Sequence, residues 1–128
     1  MGEITTNVNW LAVVIGAVSS FLLGWLWYSP KLFGTKWAAG IGVDLGSATS
    51  MPAAAMASQL AATFLLAWVV GVTAARDALA TVILIVVMVV LVVVANGLFG
   101  KKSTYAIAVE AGFIIAMTVV MIAVQSIL

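Results

Sequence analysis

The sequence contains no histidine and no cysteine, two prolines, and only nine charged side chains in 128 residues, five Lys or Arg and four Asp or Glu. Without imidazole or thiol there is no thiolate nucleophile, no haem axial ligand and almost no route to a zinc site. No metal, cofactor or catalytic residue is expected, and the chain does not read as an enzyme. A soluble domain is about one-quarter charged, whereas here the charged share is 7% and the hydrophobic share 66%. So few polar groups cannot clothe a folded monomer in water, so the expected solvent is a lipid bilayer. A net charge of +1 supplies no basic stripe for nucleic acid.

What the chain does have is long apolar runs. A helix needs roughly 20 apolar residues to cross the hydrocarbon core, and the scarce charges and prolines divide the sequence into four such segments, at about 9–28, 52–75, 78–99 and 104–128. The fold class is therefore all-α: one domain of four transmembrane helices in a compact bundle. Proline lacks a donor and has a fixed φ, so the first span should stop at Ser29-Pro30. Ser50 and Pro52 have the chemistry of a helix start. In the first loop, Phe33, Trp37 and Ile41 recur every four residues. They predict a short interfacial helix capped by Ser29, with Pro30 in its first turn and Lys31 and Lys36 toward water.

Only Glu3 precedes the first span as a charge, which is not the basic start of a signal peptide. Lys31, Lys36, Lys101 and Lys102 lie in the first and third loops, against Arg76 alone on the other side. The positive-inside rule then places loops 29–51 and 100–103 in the cytoplasm and both termini outside the cell (inner) membrane.

Close helix packing in lipid depends on small residues. Ala12, Gly16, Ser20 and Gly24 recur every four residues in the first span and predict a packing seam. Ala54, Ser58 and Ala62, with Ala53, Ala57 and Ala61 beside them, predict seams in the second span, and Ala108, Gly112 and Ala116 one in the fourth. The third span has no small residue between Ala80 and Ala95 and should be the most lipid-exposed. Leu32-Phe33-Gly34 and Leu98-Phe99-Gly100 also leave open an internal duplication of two hairpins.

Glu110 is the one charge well inside a span, six residues after Thr104 or roughly 9 Å along the helix. Ionisable groups at that depth are costly and point to function. Counting along the helices brings Gln59, Asn96, Ser20 and Trp25 to comparable depth, so a polar site of Glu110, Gln59, Asn96, Ser20 and Trp25 is expected. A lysine of the third loop is the other candidate partner.

Asn9-Trp10-Leu11-Ala12-Val13 and the run from Leu23 through Trp25, Tyr28-Ser29-Pro30 and Gly34 to Trp37 resemble the opening of the bacterial membrane proteins grouped as domain of unknown function 1761. Asn96-Gly97-Leu98-Phe99-Gly100-Lys101-Lys102, followed by Glu110, extends the likeness over the whole chain. The resemblance implies a four-helix membrane protein and directs attention to Asn9, Tyr28, Ser29, Pro30, Gly34 and Phe99, but implies no reaction. Two functions remain open: a translocation or binding protein with its proton, cation or solute site at Glu110, or a structural or accessory subunit of a larger membrane complex. Self-association or a partner membrane protein is expected in either case.

Overall fold

A computed structural model describes residues 2–29, 31–42 and 53–128, and these form six α-helices: α1 (Gly2–Thr5), α2 (Trp10–Trp27), α3 (Gly34–Ile41), α4 (Ala53–Ala75), α5 (Leu79–Phe99) and α6 (Thr104–Ile127). Four of them, α2, α4, α5 and α6, are long and apolar enough to cross a membrane. Their bounds lie close to those read from the sequence, and two of the starts are chemically marked. The Asn9 side chain accepts from Ala12 N at 3.1 Å and caps α2, while Ser103 accepts from Ala106 N at 3.0 Å and caps α6, each satisfying a donor that the first helical turn leaves open. The expectations placed on Pro30, Ser50 and Pro52 lie outside the described residues.

α6 is the central element, in contact with α2, α3, α4 and α5. The predicted α2 seam is real and meets α6. A Cβ on Gly16 would stand 3.5 Å from Met121 Cγ, and one on Gly24 would stand 2.9 Å from Phe113 Cζ. Ser20, between them, is fully buried. The facing row on α6 is Val109, Phe113, Met117 and Met121, all buried. The predicted row takes part only through Gly112, which lies against Trp27 of α2, while Ala108 is exposed. Small residues permit close approach, but the bulky row here fills the space that the α2 glycines leave.

The α4 seam also differs from expectation. Thr63, Ala67, Val70, Gly71 and Thr73 are buried, with Gly71 against Val13, whereas Ala54, Ala57, Ser58, Ala61 and Ala62 are exposed. Only the second half of α4 is gripped by the bundle. α5 is the least buried of the four spans, as predicted. It nevertheless packs along α6 through Val82, Val86 and Gly97, the last against Ile107.

At one end of the bundle α1 is strapped to α4. Trp68 Nε1 donates to the Ile4 carbonyl at 2.7 Å, and the Arg76 guanidinium donates to the carbonyls of Glu3 and Thr6 at 2.8 and 2.9 Å. At the other end α3 docks on α6. Ser103 N donates to the Gly40 carbonyl at 3.0 Å, and Gly34 and Ala38 are buried while Lys36 is exposed. Ser29 does not cap this helix, which begins five residues later without a side-chain cap. Its hydroxyl donates to the Leu26 carbonyl at 2.7 Å, closing α2 instead. The chain doubles back there, with Phe33 N on the Trp27 carbonyl and Gly34 N on the Ser29 carbonyl.

The two Leu-Phe-Gly triplets are not equivalent. Phe33 stacks on Trp27 with ring centroids 4.9 Å apart, while Phe99 is 88% exposed. One triplet turns the chain into a docked helix and the other only ends α5, so the duplication finds no support at the residues that suggested it.

Candidate functional site

The docked α3 brings together what sequence spacing could not. Glu110, on α6, is met from α3 by Trp37, whose Nε1 donates to Oε2 at 2.9 Å. From the α5–α6 turn, Lys102 Nζ donates to both carboxylate oxygens at 3.0 Å. This is the only ion pair among the described residues, with Lys102 35% and Glu110 16% exposed at the side chain. Lys102 is placed by a tight reversal in which Lys101 takes the left-handed φ of 58° and Lys102 N donates to the Gly97 carbonyl at 2.9 Å.

Aromatic rings enclose the group. Tyr28 lies edge-on to Trp37 and to Phe113, at centroid distances of 4.8 and 5.3 Å. Trp27 Nε1 donates to the Val109 carbonyl at 3.0 Å, one residue from Glu110. Burial, and then the neighbouring Glu110 charge, push the Tyr28 hydroxyl well above the ordinary phenol range, so it stays protonated. Among the motif positions, Asn9 is therefore a helix cap, Tyr28 walls the carboxylate, Ser29 and Gly34 shape the α2–α3 reversal, and Phe99 is exposed.

The rest of the expected polar site is not assembled. Gln59 is exposed on α4 and donates to its own-helix neighbour Thr63 Oγ1 at 3.2 Å. Asn96 is exposed on α5, and Trp25 is 74% exposed. Ser20 is fully buried between α2 and α6, and its Oγ has no hydrogen-bond partner among the described residues. Similar depth does not mean the same azimuth, and the hydrogen bonds to Glu110 come from Trp37 and Lys102 instead. The third-loop lysine is the partner that the sequence did offer. Trp37 is the one it missed. Its four-residue spacing with Phe33 signalled an inward face for α3, but that α6 would receive this face is a tertiary fact.

Chemically, both carboxylate oxygens accept hydrogen bonds, one at Oε1 and two at Oε2, and Lys102 pairs with the charge. The arrangement ties α3, the α5–α6 turn and α6 into one knot.

The chain was compared with known proteins on three levels. A family model described as "Protein of unknown function (DUF1761)" matches residues 11–126. No curated protein and no solved structure matches. The match spans most of the sequence, and the chain belongs to this family.

Proposed function

We propose that this DUF1761 protein is a non-enzymatic membrane subunit that works by associating, through the first half of α4, with a second copy of itself. The observation that carries this reading is the contrast between its two uncovered faces. α5 shows the bilayer large aliphatic side chains, with Leu84, Met88, Leu91 and Val92 all more than half exposed. α4 exposes Ala54, Ala57, Ser58, Gln59, Ala61 and Ala62 through its first half, with Leu60, Phe64 and Leu65 beside and beyond them. Large side chains suit lipid, whereas small ones let backbones approach and polar ones can hydrogen-bond across a helix pair. A two-fold pairing would set this face against its own copy, with Ser58 and Gln59 able to bond reciprocally.

Because the chain has no native cysteine, single cysteines make clean reporters. Ala61→Cys should form a disulfide-linked dimer in native membranes under mild oxidation. Leu84→Cys should not, and adding Ala57→Leu to Ala61→Cys should suppress the crosslink. Equal crosslinking at positions 61 and 84 would reduce the face to ordinary lipid-exposed surface. Capture of a different chain at position 61 would keep the docking face but make the protein an accessory subunit of a larger complex.

The translocation reading draws less support. It rests on Glu110, whose oxygens both accept hydrogen bonds, and a solute path from there along the axis would have to pass Phe113, Met117 and Met121, all buried. We further assign the lysine-bearing end to the cytoplasm and both termini to the outside of a bacterial inner membrane, from the four-to-one distribution of cations. Cysteines at Lys36 and Lys102 should then react with an impermeant maleimide only after cells are opened, and one at Asp77 in intact cells. The reverse order would invert the topology.

A further inference from the structure

The end of the bundle remote from Glu110 holds an open groove of about 400 Å³ between α4, α5 and α6. We propose that it is a binding site for a small primary ammonium ion carrying an apolar substituent. The inference is independent of the α4 face, since the groove lies on the gripped half of that helix.

Small-molecule sites occupy roughly 300–1,000 Å³ and combine apolar walls with a few oriented polar groups. Here Val70, Leu79, Val82 and Ile122 supply the walls. The polar groups are Thr73, Asp77, Gln125 and Ser126, and most of their capacity is of one kind. The Thr73 hydroxyl spends its proton on the Val70 carbonyl at 2.9 Å, and the Ser126 hydroxyl spends its own on the Ile122 carbonyl at 3.0 Å. Their oxygens are left with lone pairs only. Asp77 adds a carboxylate, which accepts, and Gln125 a carbonyl beside its amide. The lining therefore asks for a donor.

It also asks for a positive charge. Arg76, adjacent to Asp77 in sequence, is committed to the carbonyls of Gly2, Glu3 and Thr6, and the ion pair among the described residues is the distant Lys102–Glu110. Asp77, exposed at the rim, is the one acidic group of the lining. Its position is set by the backbone, which turns through a left-handed φ of 52° while Ala78 N donates to the Thr73 carbonyl at 2.8 Å. An ammonium would meet Asp77 and the hydroxyl oxygens while its substituent lay against the aliphatic walls.

The probe is 2-phenylethylammonium chloride, titrated against the full chain in phosphatidylcholine nanodiscs, with empty nanodiscs as the baseline and the uncharged 2-phenylethanol as the matched isostere. Saturable binding of the cation beyond the baseline is expected, with the alcohol weaker. Asp77→Asn keeps the shape and tolerates the left-handed backbone. Losing one charge-assisted hydrogen bond should lower cation affinity about tenfold without moving the alcohol. Ala74→Leu, an exposed lining position, should abolish binding of both by filling the groove, while unchanged melting shows that the fold survives. If phosphatidylethanolamine in the disc competes with the probe, the ammonium comes from a lipid headgroup; if not, it comes from a soluble amine. Equal binding of cation and alcohol, or full cation affinity in Asp77→Asn, overturns the proposal.

Discussion

Replacing Gly34, the first residue of α3, with alanine should destabilise the protein more than the same change at Gly42. An added Cβ there would collide with the Tyr28 carbonyl and crowd the Ser29 carbonyl. These are backbone atoms in a hydrogen-bonded reversal, so no rotamer change relieves the clash. Overpacking of a side chain typically costs about 1–3 kcal/mol, and a clash against backbone belongs at the upper end of that range. The loss should appear as a lower melting temperature in detergent and as release of α3, read by faster maleimide labelling of a cysteine at Ala38, which is 2% exposed when docked. Gly42 is the control. It has a left-handed φ of 81° with open space around its Cβ, so alanine there should cost only the left-handed penalty of about 1–2 kcal/mol. Equal melting temperatures for the two variants would show that the α2–α3 reversal is not held as described.

The second large effect concerns the knot around Glu110, where two interactions can be ranked by exposure. With Lys102 about one-third exposed, its ion pair is screened and should contribute no more than about 0.2–1 kcal/mol. The Trp37 indole donates to the same carboxylate from a half-buried position, and a hydrogen bond to a charged group contributes about 1.5–3 kcal/mol. Glu110→Gln keeps a neutral acceptor for Trp37 and should cost about 1 kcal/mol, less than removal of the acceptor. Glu110→Met leaves the indole N–H without its acceptor and should cost about 2 kcal/mol. A double-mutant cycle between Glu110→Met and Trp37→Phe should return most of that loss as coupling energy, whereas a cycle between Glu110→Met and Lys102→Met should return less than half as much. If the lysine cycle proves the larger, the knot is an electrostatic pair and Trp37 only packs beside it. If Glu110→Gln assembles but abolishes a pH-dependent activity in cells, the carboxylate has a proton- or cation-handling role that its hydrogen bonds do not disclose.

Both variants act on a site that was only partly legible before folding. Glu110 stood out because a lone charge within an apolar run is anomalous wherever its neighbours lie. Lys102 was within reach as a residue of the adjoining turn. Gln59, Asn96 and Trp25 were placed with Glu110 by depth alone, and depth is one of two coordinates. Small rotations of α4 and α5 about their axes decide the other, and they are set by packing against α6. Ser20 was rightly read as inward-facing, but it serves the α2–α6 contact rather than the carboxylate.

The sequence by itself determined the four apolar spans, because composition and hydrophobic length act locally; the caps Asn9 and Ser103 became visible only in the structure. It also determined that Gly16, Ser20 and Gly24 form a seam, since small residues every four positions share one helix face. Only the tertiary structure decided which rows meet. It put α6 at the centre, filled the α2 seam with Phe113, Met117 and Met121, left the equally small residues of α4 uncovered, and folded α3 back so that Trp37 reaches Glu110. A pattern of small side chains states how closely a helix can be approached, and a pattern of large ones how much space must be filled. Which surfaces satisfy each other depends on all helices packing at once, and no single stretch of chain contains that information.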